Sequence, residues 1–267
     1  MYIKFIKCFF FTMLLLIFAC QEDDMGITIP VVEEMEEEIE ETNDEEPSNE
    51  DPEPQYLFLD SDYLFDQDKF LTFELILSEE NLSFIDNDPA AEEYVEGKLK
   101  FEGETVSPVG IRYKGSIGAF VDCLSGNNWF DPSGYKTCPK LSMKVKINWE
   151  NSSDKFYGLK KLQFHSMNQD PSQMRERLGY HLFREMGVAA PRCVHVRLLV
   201  NGEFSGVYTL VEQIDGRFAD YNFEDGSGNV YKEVWPLRSN GLPWPEQTYK
   251  DALKTNEEEA NVEIFKS

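Results

Sequence analysis

The chain is poor in histidine and, set against its acids, in basic residues. It has three histidines in 267 residues. His165 closes a strand-like stretch, His181 sits within a helical one and His195 alternates in a hairpin, so none has metal-ligand spacing and each is expected to be structural. Lysine and arginine total 25 against 50 aspartates and glutamates, a formal net charge of −25. Binding to a phosphate backbone needs clustered basic residues to release counterions, so nucleic acid is not an expected partner. Long apolar runs are also scarce. The run Phe9 to Ala19 is too short to span a bilayer.

That run has the form of an export signal, with Lys4 and Lys7 before it and Cys20 at its end. Ile17-Phe18-Ala19-Cys20 resembles a bacterial lipobox, which implies cleavage after residue 19, lipidation of Cys20 and an anchored protein. Residues 20–55 then form an acidic tether. From Gln21 to Gln55 there are sixteen Asp or Glu and no Lys or Arg, with Pro47, Pro52 and Pro54 near the end. Such a segment repels itself and cannot pack a core. Glu22, Asp23 and Asp24 beside Cys20 resemble the export tags of surface lipoproteins in some Gram-negative bacteria, which implies the outer membrane or cell surface.

Residues 56–267 remain, with 23 basic and 34 acidic side chains, or −11 (25 − 2 and 50 − 16). That length suffices for one sizeable domain or two small lobes sharing a cleft. Apolar or alternating stretches around Leu71, Leu99, Ile111, Lys144, Leu162, Val196 and Tyr208 predict strands of an antiparallel sheet. Ser78 is placed to cap a short helix. Asp170, Pro171 and Gly187 mark the ends of a second, Pro171 to Met186, whose stripe of Met174, Leu178, Leu182, Phe183 and Met186 is expected to face a core. Asn201-Gly202 predicts a type I′ hairpin turn.

The five cysteines divide by context. In an exported protein Cys123 and Cys138 are expected to pair, stabilising by ~3 kcal/mol, because no histidine stands near enough for a metal site. Cys193, in a strand, reads as a buried thiol.

Several ordered blocks carry a family resemblance: GIRYKGS, KLSMKVKI, LKKLQFHSMNQDPSQMRERLGYHLFREMGVAAPR, VRLLVNGEFSGVYTLVEQIDGRF, GNVYK and ALKTNE. Together, over roughly residues 70 to 260, they resemble the CotH kinase family, named for a spore-coat protein kinase. The resemblance implies an α+β, atypical protein-kinase-like fold, with an antiparallel sheet, a packed helix and a C-terminal lobe largely missing. It implies ATP and Mg²⁺ as cofactors and Ser or Thr of surface or matrix proteins as substrate.

Residue by residue, the resemblance puts Lys144 where a kinase holds its phosphate-pairing lysine, with Lys140 and Lys146 as alternatives on the same strand face. Glu176 stands where its carboxylate partner would be, although a surface pair with Arg175 or Tyr180 is equally compatible. Arg112 and Lys114 belong to a basic, glycine-containing segment near the phosphates. Glu212 and Gln213 take hinge positions beside an adenine, and Lys232 is a further family-like position. The catalytic and metal-binding aspartates of the family are expected beyond Ser267, so the chain reads as a fragment. A non-enzymatic alternative is an adhesion lipoprotein that uses the inserted loop of residues 117–139, with Trp129, Phe130 and Tyr135, as its recognition surface.

Overall fold

A computed structural model describes residues 60–255, apart from 116–118, 127, 129, 130, 233, 235–237 and 239. The export signal, Cys20, the acidic tether, Trp129 and Phe130 lie outside the described residues. Seven strands and four α-helices are described: β1 (Thr72–Ile76), α1 (Glu79–Asn87), β2 (Val95–Phe101), β3 (Glu104–Tyr113), β4 (Met143–Lys146), β5 (Lys161–His165), α2 (Arg175–Glu185), β6 (Cys193–Val200), β7 (Glu203–Val211), α3 (Gly216–Asn222) and α4 (Glu246–Ala252).

The strands follow from period-2 patterning. In β2 the residues Val95, Gly97, Leu99 and Phe101 are buried while Glu96, Lys98 and Lys100 are exposed. Gly97 cannot be replaced freely, since a Cβ there would lie 2.5 Å from Ile111 Cδ1 and 2.8 Å from the Ile76 carbonyl oxygen. Asn201 and Gly202 have φ of 51° and 83°, as a type I′ turn between β6 and β7 requires. Ser78 caps α1, its side chain accepting the Asn81 N–H at 3.1 Å.

The sheet closes into a barrel in the order β1-β2-β3-β4-β5-β7-β6. It is mixed rather than wholly antiparallel. Six neighbouring pairs are antiparallel, but β1 and β6 run parallel, with Phe73 opposite Leu198. The reason is topological: alternating directions around a ring of seven strands must repeat once. Inside, Phe73, Leu99, Ile111, Val145, Phe164 and Leu210 are fully buried, and the Phe73 ring lies 4.5 Å from Phe101 and 5.3 Å from Phe164. Cys123 and Cys138 form a disulfide, and Cys193 is a buried thiol.

The second helix departs from its sequence pattern twice. It begins at Arg175 rather than Pro171, because the Asp170 carboxylate first organises a turn. Asp170 accepts the Ser172 N–H at 3.0 Å and hydroxyl at 2.5 Å, then the Arg175 N–H at 2.8 Å, while Gln173 adopts φ 53°, which a helix cannot contain. Its apolar stripe does not face a core. Leu178, Leu182, Phe183 and Met186 are 50%, 58%, 52% and 77% exposed. The helix leans on the barrel through polar side chains instead. Arg177 donates to Gln67 Oε1 at 2.9 Å, and Arg184 donates to the Pro191 carbonyl. Just before the helix, the Gln173 carbonyl accepts from His195 Nε2 at 2.7 Å.

Candidate functional site

The outer face of β3, β4 and β5 gathers the cations. Burial of Met143 and Val145 turns Lys144 and Lys146 outward, and on β5 the burial of Leu162 and Phe164 does the same for Lys161, Gln163 and His165. The register places Arg112 opposite Lys144, Lys144 opposite Gln163, and Lys146 opposite Lys161. Like charges directly opposite each other destabilise a sheet. Two such pairs on adjoining strands therefore mark a surface suited to an anion.

A cavity of about 550 Å³ opens over this face, walled by Arg112, Lys114, Lys144, His165, Glu176 and Lys232 among others. A second, of about 820 Å³, shares Arg112, Lys144 and Lys232 with it and runs on to Asn148, Gln213 and Asp215. The two form adjoining compartments of one cleft.

The cations differ in their partners. Arg112 pairs with Glu92, donates from Nη1 to the Tyr113 carbonyl at 3.1 Å and stacks 5.0 Å from the Tyr94 ring centre, yet its buried Nε has no partner. Glu92 also accepts the Gly115 N–H at 2.6 Å, fixing the turn after β3. Lys114 Nζ lies 2.6 Å from His165 Nε2, and His165 Nδ1 lies 2.6 Å from Glu176 Oε1. No carboxylate among the described residues pairs with Lys144.

The electrostatics reflect this. Burial lowers Lys144 to about 8 from the ordinary 10.5, and the charged neighbours that act on it, Lys161, Arg112, Lys114 and Lys232, all push the same way. Burial also lowers Lys114 to about 8; Glu176 and Glu92 oppose the shift, while Lys232 and Arg112 add to it.

Arg112, Lys114, Lys144 and Glu176 line one compartment together. Glu176 reaches it because the helix is turned: at about 100° per residue it lies some 160° around α2 from Leu178, so an exposed Leu178 leaves Glu176 facing inward. Its hydrogen-bond partner is His165, not Lys144, Arg175 or Tyr180. Lys140 and Lys146 line neither compartment: Lys140 donates to the Val207 carbonyl at 2.7 Å, and Lys146, although on the same sheet face as Lys144, lies 5.5 Å from the Trp149 ring centre.

The two hinge positions separate. Gln213 lines the larger compartment, its Nε2 donating to Asp215 Oδ2 at 3.0 Å and its buried Oε1 left without a partner. Glu212 is 2% exposed, and its carboxylate grips Arg192 at 2.6 and 3.2 Å while its own N–H donates to the Arg192 carbonyl. Its side chain ties the ends of β6 and β7 together and takes no part in the cleft.

A model of the family described as CotH kinase protein matches residues 111–264, more than half of the chain. The chain belongs to this family. The matched span includes every cleft residue named above except Glu92. Over 63 residues the chain is also 38% identical to an inner spore coat protein H-like protein of Bacillus subtilis (strain 168); this match covers 24% of the chain and 20% of that relative.

Sequence reasoning missed His165 and Glu92. Alternation along Lys161-Leu162-Gln163-Phe164-His165 was the available signal for the first, since it sets His165 on the same face as Gln163. Glu92 had none. It follows the short 3₁₀ turn Pro89–Ala91 in a left-handed conformation, φ 52°, and only the fold brings it to Arg112.

The cationic walls and the unpartnered donor at Arg112 Nε suit an anion such as a polyphosphate, while the unpartnered Gln213 Oε1 and Asn148 Oδ1 suit a hydrogen-bond donor. A magnesium site is another matter. Among the described residues no group of three or more His, Cys, Asp or Glu could hold a metal ion, so these residues do not fit Mg²⁺.

Proposed function

We propose that this CotH-family chain is the nucleotide-binding part of an exported, lipid-anchored protein kinase that acts on Ser or Thr of surface or matrix proteins. The observation that carries the reading is Lys144, a half-buried lysine ringed by cations and without a carboxylate, at the junction of two compartments. Burying such a charge is unfavourable unless an anion joins it.

Bound ATP supplies the phosphoryl group to be transferred. Lys144 and Arg112 neutralise its phosphates, and Lys114 adds a third charge from the turn after β3. Gln213 and Asn148 offer acceptors to the amino group of a base in the larger compartment. The kinase-like architecture enters here as a proposal: a barrel with one helix carboxylate turned toward the cleft is compatible with it. Anchoring through Cys20 at the outer membrane or cell surface, by way of the acidic tether, is part of the same proposal.

Calorimetric titration of the whole chain with Mg-ATP tests it. Lys144→Ala should weaken binding at least about tenfold, the loss of one charge-assisted contact. Equal affinity in the two proteins overturns the assignment.

A further inference from the structure

The contact that sequence reasoning did not anticipate is the chain Lys114–His165–Glu176. Three elements contribute one member each: the turn after β3, the end of β5 and the first turn of α2. Both links are 2.6 Å long, and all three side chains line the smaller compartment. The charged groups acting on Lys114 from around it are Glu92, Arg112, Lys232 and Lys144, and Tyr180 and Cys193 lie close enough to feel the charge of Glu176.

Hydrogen-bond chemistry fixes where the protons go. A charged lysine has donors and no acceptor, so His165 Nε2 must accept from Lys114. The imidazole proton then sits on Nδ1 and is donated to Glu176 Oε1, because an ionised carboxylate can only accept. A neutral imidazole of this tautomer satisfies both contacts while Lys114 stays charged. An imidazolium would set its Nε2–H against the ammonium, which Lys114 could relieve only by giving up its own proton.

We infer that His165 is a positioning residue which, neutral and protonated on Nδ1, transmits the charge of Glu176 to Lys114 and holds that ammonium toward the phosphates of the bound nucleotide. The inference rests on the nucleotide reading for its ligand, but the relay itself is a property of the free protein. In this chain the helix carboxylate reaches the basic cluster through an imidazole and a lysine on the turn after β3. Lys144 on β4 is left to meet the ligand without a carboxylate of its own.

Two measurements on the whole chain test the inference. The first is a long-range ¹H–¹⁵N correlation spectrum of ¹⁵N-labelled protein at pH 7.5, with the His165 signals assigned by their loss in His165→Gln. A protonated Nδ1 and a bare Nε2 are expected. The opposite tautomer, or protons on both nitrogens, overturns the relay whether or not nucleotide binds.

The second is a double-mutant cycle on Mg-ATP affinity with Lys114→Ala, His165→Ala and the pair. If His165 acts through Lys114, its removal costs about tenfold in the wild-type background and less than about twofold once Lys114 is gone. Independent, additive losses mean that His165 touches the ligand itself, and they overturn the positioning role. His165→Asn keeps an amide donor toward Glu176 but is too short to carry its acceptor to the Nε2 position that Lys114 meets, so it should match the alanine variant and serves where that one folds poorly; wild-type affinity in it contradicts the inference. Failure of the unmutated chain to bind Mg-ATP overturns the nucleotide reading and the transmitted role of Lys114, while the spectrum still decides the tautomer.

Discussion

Strand β4 and helix α2 carry the same kind of pattern, an apolar stripe backed by a charged one, and the protein uses them in opposite senses. Met143 and Val145 of β4 are 1% and 0% exposed, and Lys144 is turned to the cleft. On α2 the charged residue, Glu176, also turns to the cleft, but Leu178, Leu182, Phe183 and Met186 face outward. In both elements the functional side chain sits on the polar face. The difference lies in what covers the apolar one: the barrel covers it for β4, and no described residue does so for α2. Periodicity therefore identifies a face reliably and says nothing of its occupant.

The contrast can be broken from the barrel side first. Phe164→Ala empties a fully buried position against Phe73 and should cost about 3–5 kcal/mol in chemical denaturation. A cost below about 1 kcal/mol would mean that the barrel interior is not close-packed. Glu212→Ala should fall in a similar range, about 3–5 kcal/mol, because it strands the buried Arg192 guanidinium, which is left with Asp62 and Ser61. If Glu212 were instead a hinge residue, this change would weaken nucleotide binding and leave the denaturation midpoint where it is.

The cleft side gives smaller effects. With folded values of about 8 against 10.5 for an unperturbed lysine, Lys114 and Lys144 bind fewer protons folded than unfolded between those limits. Their contribution to stability is therefore unfavourable below pH 8 and is relieved as pH rises toward about 9.5. The ligand-free protein should gain stability over that interval, and Lys144→Met should reduce the gain. A slope of the opposite sign in the unmutated protein, unchanged by Lys144→Met, would mean that these lysines keep ordinary values.

The smallest change is expected on α2. Leu182→Gln, on the outer stripe, should shift stability by no more than about 0.5 kcal/mol, because the side chain is already 58% exposed. A loss approaching that of Phe164→Ala would show that something covers the stripe in solution and would erase the contrast with β4.

Much of the barrel was legible beforehand. The regions around Leu71, Leu99, Ile111, Lys144, Leu162, Val196 and Tyr208 coincide with or adjoin the seven strands, since alternation and turn residues are local properties that tertiary packing did not override. The parallel closure of β1 on β6 was not legible, because strand direction around a ring depends on the count of strands and not on any one of them. Asp170 misled as an N-cap by capping one turn too early. Lys144 and Lys114 could be placed by resemblance and alternation. The buried pair Arg192–Glu212 and the relay through His165 could not, as each joins residues whose meeting only the fold determines.

Lys114 and Lys144, mostly charged at pH 7.5 but only about half charged near pH 8 in the free protein, are expected to become fully charged against nucleotide phosphates. Calorimetric titration with Mg-ATP at pH 8 in two buffers of different ionisation enthalpy measures this directly through the protons taken up. With both lysines near half-protonation, binding should draw in up to about one proton, roughly half from each, and Lys144→Met should remove about half of that uptake. Tight binding with no proton uptake would contradict the incomplete charging of these lysines, and no binding at all would contradict the assignment of this cleft to a nucleotide.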